Sequence, residues 1–531
     1  MNLNDVNRLE AGLSMMKHYG RPEDKELRIL IFTACYFVLD GVTLTIRRLE
    51  AYLRSRGATV KILSTVPEDY DQDQVKDIIV VPGIKIPFTH AGSGYAFGGG
   101  LDDDIVRQIE LYKPNCVHFT VPDLVALDGI RWCQKNNVAY MATWHSNYCD
   151  YLRYYFLEWI LKPGFLRYLQ GFYEQMPAVY VPTPYIKEKM MQEGFGKYTE
   201  LKEWGRGVDL TLFSPDRRSL EFRRCRGIAD NDVLILWVGR LVPEKRPEIW
   251  MNVVKRIQQE VGKNVKSIVV GHGTYEATLS TVENCICAGW LSGVALAEAY
   301  ASADILLFPS AVETFGNVTL EALASGCVCV VEDLCGKHLV DHGENGFTCP
   351  AGDTEMFYQA TKRLVLDDLL RNRMSIKARE GAWKFERSKI LQQMAENYKD
   401  AVVRHQDPTF IKRHILMSPE AAGRNYVSLM CCNYWFVKSY AEPILNTTAS
   451  FQNLATASTD CLQNSRSKFS CSQFNHINDE AYSRYDDERK ERIPPNLSGL
   501  YSVITSNIVR YVAITLTVSL LILFIYTSFT I

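Results

Sequence analysis

Two short segments place glycine, cations and carboxylates where apolar runs end. The first reads Val238-Gly239-Arg240-Leu241-Val242-Pro243-Glu244-Lys245-Arg246-Pro247. A glycine directly after a strand lets backbone approach a ligand, and an Arg and a Lys five residues apart on the following loop can converge on a diphosphate. Taken alone, this loop reads equally well as a solvated basic turn. The second segment is Glu313-Thr-Phe-Gly-Asn-Val-Thr-Leu-Glu321, followed by Ala-Leu-Ala-Ser-Gly326. Phe315, Gly316 and Asn317 precede an amphipathic helix expected over 318–325, whose free N–H groups favour an anion. Glu313 lies before that helix and Glu321 on it. A carboxylate beside an anion site makes electrostatic sense when it accepts hydrogen bonds from neutral hydroxyls, as a sugar and a ribose supply. An isolated Glu321 would read as a surface helix residue; the constellation argues otherwise.

These segments need a scaffold that presents strand ends to one cleft. Short apolar runs at 27–37, 60–63, 78–81, 117–121, 138–143 and 179–181 alternate with helical patterns, and a second block repeats this at 233–238, 265–270, 286–290, 305–309 and 328–331. That alternation is how a doubly wound parallel α/β sheet reads. With 531 residues the chain exceeds a single core, so two domains are expected. The divisions are an N-terminal extension at 1–26, a first Rossmann-like domain at 27–205, a hinge at 206–228 and a second Rossmann-like domain at 229–380. A crossover helix at 381–405 carries Ile390, Leu391, Met394, Tyr398 and Val402 at helical spacing and is expected to pack back on the first block. An aromatic segment at 406–450 resists assignment: its apolar run 426–440 is too short to span a membrane and either lies at an interface or packs, with packing preferred. A polar tether covers 451–508 and a transmembrane segment 509–531.

The Glu313 to Glu321 segment resembles the E-x7-E signature of the retaining GT-B glycosyltransferases of family four, the glycosyl transferases group 1. The resemblance covers about residues 27–400. Trp204-Gly-Arg-Gly-Val-Asp209 through Phe213-Ser-Pro215, Thr143-Trp-His-Ser146 and Trp159-Ile-Leu-Lys-Pro163 are similar to runs in GDP-mannose-dependent alpha-mannosyltransferases and in the sulfoquinovosyltransferases that make sulfolipid. It implies a GT-B fold, two Rossmann-like domains facing across a cleft, and a retaining reaction with no metal and no cofactor beyond the nucleotide-sugar substrate. Arg240 and Lys245 would bind the donor diphosphate after Gly239, and Glu313 would bind donor-sugar hydroxyls near the amides of Phe315, Gly316, Asn317 and Val318. Glu321 would hold the ribose. Gly41, in Asp40-Gly-Val42, matches the glycine loop at the phosphates, although the family more often has a Gly pair or Asn-Gly there, which leaves the role of Asp40 open. His145 matches the family histidine at the reacting sugar; a lone histidine is otherwise more often structural.

Other features bound the reading. Asp102-Asp-Asp104 imitates a metal-binding D-x-D, yet it opens the helical run 105–111, so it is read as a helix cap. The glycine-rich 91–100 is read as a mobile loop near the acceptor. The formal net charge of -2 leaves no footprint for nucleic acid. The 15 cysteines, including Cys285/Cys287 and Cys327/Cys329, are read as buried thiols in a reducing compartment. Sequons at Asn317, Asn446 and Asn496 are discounted. No charged residue occurs in 511–531, and about 21 residues at about 1.5 Å rise span about 32 Å, enough for a bilayer's hydrocarbon core. The expectation is a single-pass tail anchor on an endomembrane such as the endoplasmic reticulum, with cytosolic catalytic domains and a lipid or lipid-linked acceptor. The favoured reading is a hexosyltransferase using GDP-mannose; the alternatives are a UDP-sulfoquinovose:diacylglycerol sulfoquinovosyltransferase or other UDP-sugar transferase, an inactive membrane-anchored GT-B scaffold, and another GT-B enzyme such as a nucleotide-sugar epimerase, which the family motifs disfavour.

Overall fold

Successive side chains of a strand face opposite sides of its sheet, and along Arg28–Ala34 (β1) both sides are buried: Ile29 and Ile31 join one apolar cluster, Leu30 and Phe32 another. That is why the segment reads as a continuous apolar run. The computed structural model describes residues 21–34, 36–37, 41–67, 77–85, 96–147, 158–262, 264–310 and 312–406.

The first sheet adds Thr59–Pro67 (β2), Ile79–Lys85 (β3), Ala96–Gly98 (β4), Cys116–Phe119 (β5), Ala139–Thr143 (β6), Ala178–Val181 (β7) and Glu200–Glu203 (β8). Its order is β4-β3-β2-β1-β5-β6-β7-β8, parallel except for β3 with β4. The second sheet holds Val233–Val238 (β9), Val265–Val270 (β10), Cys285–Gly289 (β11), Ile305–Phe308 (β12), Val328–Glu332 (β13) and Gly346–Cys349 (β14), all parallel, in the order β11-β10-β9-β12-β13-β14. Strand order reverses at β1/β5 and at β9/β12. Ligands of open α/β sheets bind beyond the carboxyl ends of strands at such reversals. The chain leaving β1, β9 and β12 leads to Gly41, to Arg240 and Lys245, and to Glu313 respectively.

Helix α1 (Gly41–Ser55) packs Ile46, Leu49 and Leu53 on one face of the first sheet. The opposite face takes α2 (Asp103–Tyr112) and α3 (Leu124–Asn136). In the second domain α4 (Pro247–Val261) and α5 (Asn317–Ala324) belong to one core around β9 and β12. The crossover helix α6 (Arg387–His405) follows a turn at Trp383–Phe385 and buries Leu391, Met394, Ala395 and Tyr398 among first-domain residues. The two chain crossings between domains run side by side: Val208 N–H donates to Phe385 O at 2.9 Å and Arg387 N–H to Val208 O at 3.0 Å. A Cβ at Gly207 would lie 2.6 Å from Arg387 Cα, so only glycine permits this approach.

Several expectations change. Strands β4, β8 and β14 carry no sequence signal as runs, being short or polar edge strands. The glycine-rich 91–100 is not wholly a loop, because Ala96–Gly98 pairs with β3. Its Gly98 serves packing, since a Cβ there would lie 2.6 Å from Val125 Cγ2. Asp102 caps α2, accepting from Ile105 N–H at 2.8 Å. Helix α5 starts at Asn317, one residue before the expected 318. Cys327 and Cys329 are buried, but Cys285 is half-buried and Cys287 exposed, since β11 is an edge strand. Asp40, the 1–20 part of the extension, and 407–531 with the tether and anchor segments lie outside the described residues. Among the described residues no helix is long and apolar enough to cross a membrane.

Candidate active site

The cation loop is aimed by close backbone packing. Gly239 ends β9 at φ 141°, and its carbonyl would be 2.0 Å from a Cβ at Gly271. Two glycines therefore let the ends of β9 and β10 touch, with Gly239 N–H donating to Val270 O at 3.0 Å and Leu241 N–H to His272 O at 2.9 Å. The loop then makes a turn at Pro243–Lys245 before α4. Lys245 reaches back to β12: its Nζ lies 2.5 Å from Glu313 Oε1 and 3.2 Å from Val312 O. Ser310 Oγ donates to the same Glu313 oxygen at 2.8 Å. Arg240 does not join them. It is exposed and pairs with Glu244 at 3.2 Å within its own loop.

Opposite, Gly316 at φ 92° precedes α5, whose first turn has no side-chain cap among the described residues. A Cβ at Gly41 would lie 3.8 Å from Asn317 Nδ2. The first turns of α1 and α5, one from each domain, thus meet across the cleft, and both helix starts carry partial positive charge. Val318 is partly buried against the second core. The Phe315 side chain turns into the domain seam: its ring packs 5.0 Å from His338 and 5.9 Å from Phe385 and sits under Gly205 of the linker.

Glu321, one turn into α5, accepts a hydrogen bond from Tyr300 Oη at 3.1 Å. Burial raises its carboxyl to about 7, against the pull of Tyr300, Arg48 and Arg387. His145 follows β6 and is buried, with Nδ1 2.9 Å from Arg206 Nη2. Burial first, then Arg206 and His118, hold its pKa well below the usual histidine value. Among the described residues no cluster of three or more His, Cys, Asp or Glu side chains is arranged to hold a metal.

Residues 39–212 match the family described as Glycosyltransferase Family 4, and residues 232–367 match Glycosyl transferases group 1. The chain is a GT-B glycosyltransferase of this group. The sulfoquinovosyl transferase of Arabidopsis thaliana is 25% identical over 398 residues, covering 72% of this chain and 74% of that protein. A GDP-mannose-dependent alpha-mannosyltransferase of Corynebacterium glutamicum is 22% identical over 370 residues, covering 68% and 86%. The sucrose-phosphate synthase structure from Thermosynechococcus elongatus superposes with a TM-score of 0.58 at 18% identity, over 70% of this chain and 98% of that one, and it shares the two-domain fold.

The transferase's domains thus bring Lys245 to Glu313 and Gly41 to Asn317, and leave Arg240 on its own loop. Sequence reasoning missed four contributors: Tyr300 and the cations Arg48 and Arg387 around Glu321, and Arg206 behind His145. Arg48 lies on α1, Arg387 opens α6, and Arg206 is in the linker, so only the folded interdomain seam gathers them. Arg206 stood inside a quoted motif, but spacing gives no sign that it meets a histidine 61 residues earlier in the chain.

Proposed function

We propose that this transferase moves a hexose, with GDP-mannose the favoured donor, to a membrane lipid or lipid-linked acceptor, retaining anomeric configuration and using no metal ion. The observation that carries the reading is the 2.5 Å pair of Lys245 and Glu313 beside the facing starts of α1 and α5. Lys245 and the exposed Arg240 side chain supply cations for a departing diphosphate, and the two helix starts add oriented N–H groups. When a phosphate competes for Lys245, Glu313 is released to accept hydrogen bonds from sugar hydroxyls. Glu321, with an ionisable carboxyl and cations behind it, suits the paired hydroxyls of a ribose. His145 stands at the reacting sugar. Arg240, Lys245, Glu313 and His145 are therefore the groups assigned to the chemical step, with Gly41, Gly239, Phe315, Gly316, Asn317, Val318 and Glu321 assigned to the donor.

GDP-mannose is favoured by the mannosyltransferase likeness and the Trp204–Asp209 run. The match to the Arabidopsis enzyme supports a second reading, a UDP-sulfoquinovose donor with diacylglycerol as acceptor. The uncharged 511–531 segment is long enough to cross a bilayer and supports a membrane anchor, and Arg510 at its near edge supports cytosolic catalytic domains. Incubating the purified full chain with GDP-mannose, UDP-glucose and UDP-sulfoquinovose, with and without membrane lipids, tests the donor. Preferential consumption of GDP-mannose is expected; consumption of UDP-sulfoquinovose alone would move the assignment to the second reading.

A further inference from the structure

We propose that Arg206 fixes His145 as a neutral imidazole with its proton on Nε2, so that His145 donates a hydrogen bond to an uncharged oxygen of the reacting sugar or acceptor and removes no proton from it. The proposal rests on the reading of this cleft as the transfer site.

A guanidinium has five N–H donors and no acceptor, so any ring nitrogen it contacts must offer a lone pair. Arg206 Nη2 stands 2.9 Å from His145 Nδ1. Burial lowers the Arg206 pKa only to about 10, so it remains a cation near neutral pH. Nδ1 is therefore the bare nitrogen, and a neutral ring must carry its hydrogen on Nε2. Protonating Nδ1 would set one N–H against another. The other titratable neighbour gives no relief: His118 is itself buried, with Nδ1 2.7 Å from Tyr398 Oη and Nε2 3.0 Å from Thr143 Oγ1.

Arg206 is well held for this role. It is 8% exposed, donates to Trp204 O and Gly205 O at 3.3 Å each, and lies 5.1 Å over the Trp204 ring. Phe315 packs beneath Gly205, so the linker that orients Arg206 is itself anchored by the E-x7-E loop. On the other edge of the imidazole, Nε2 is buried and has no hydrogen-bond partner among the described residues. Buried donors are nearly always paired. An N–H with no partner among the described residues, held in one tautomer on a residue at the carboxyl edge of β6, is a donor suited to a ligand oxygen. Arg206 is thus a positioning residue, acting through His145.

Long-range proton–nitrogen NMR spectra of the histidine-labelled full chain, with His145→Gln assigning the signal, read the tautomer without reference to activity. The expected wild-type pattern has the proton on Nε2 and is unchanged between about pH 8 and about pH 5.5, the range in which an ordinary histidine titrates. Arg206→Met should give a tautomer mixture that titrates in that range, and Arg206→Lys, which keeps a donor, should restore the wild-type pattern. A wild-type proton on Nδ1, or a wild-type His145 that titrates there, overturns the proposal. Transfer assays add a second arm, because glutamine keeps an N–H near the Nε2 position but is no base. His145→Gln should transfer within about tenfold of wild type while His145→Ala falls about a hundredfold or more. Gln as inactive as Ala overturns the donor role. An Nε2 proton together with undiminished transfer by His145→Ala would instead overturn the placement of the transfer site, leaving the tautomer as measured.

Discussion

Lys245 Nζ and Glu313 Oε1, from loops 68 residues apart, lie 2.5 Å from each other at the carboxyl edge of the second sheet, each side chain about one-seventh exposed. A charge-assisted contact so placed is available to trade partners when a diphosphate arrives.

Replacing Arg240 by alanine should therefore lower turnover more than stability, whereas Lys245→Ala should lower both, because it also removes a largely buried partner of Glu313. Loss of one cationic contact to charge developing in the transition state costs about 2–4 kcal/mol, whereas Arg240, exposed and paired with Glu244 of its own loop, adds about 0–1 kcal/mol to folding. Turnover and thermal midpoints of the purified variants check this. Near-normal turnover in both would remove them from the diphosphate.

Glu321 should make stability depend on pH. Its folded pKa, about 7, lies above its ordinary value, so the folded state holds the proton more tightly than the unfolded chain. That contribution is fully present below the unfolded carboxylate range and is lost as pH rises through about 7. Against Glu321→Gln, the ligand-free wild type should lose thermal midpoint between about pH 5 and about pH 8, and a constant difference between the two would contradict it.

Tyr398 ties the crossover helix to the first domain through His118, whose pKa burial lowers to about 3 and which stays neutral in the physiological range. Tyr398→Phe strands the His118 nitrogen in the core, at about 1–3 kcal/mol. Urea unfolding at pH 6 and at pH 8 should show the same loss at both. An unchanged midpoint would deny the contact its role.

The parallel cores were legible because strands buried on both faces are continuous apolar runs, as Val233–Val238 and Val328–Glu332 show. Edge strands were not: Glu200–Glu203 has one pairing neighbour and two exposed glutamates, and nothing in its sequence distinguishes it from a turn. Within the site, Glu313, Glu321 and Lys245 were legible because motif residues cluster along the chain. Tyr300, Arg48, Arg387 and Arg206 were not: Tyr300 meets Glu321 within the second domain from 21 residues away, and the three cations are brought toward Glu321 and His145 only by the seam. Phe315 was placed by its backbone alone, and its side chain turned out to hold the linker.

Truncation at about residue 505 should yield a soluble enzyme that still consumes donor but loses rate on acceptor embedded in membranes. Protease added outside sealed microsomes should digest the catalytic domains of the full chain. Protection, together with glycan on Asn446, would place them in the lumen and contradict the proposed topology.

On the proposed function, this chain's own cations and helix starts hold the donor diphosphate without a metal. Calorimetric titration of GDP into the wild type and into a variant carrying both Arg240→Ala and Lys245→Ala, in EDTA, tests it most directly. The wild type should bind, and the double variant should bind more weakly by about 2 kcal/mol or more, a factor of about 30. Equal binding by both proteins, or wild-type binding that appears only when magnesium or manganese is restored, would contradict it.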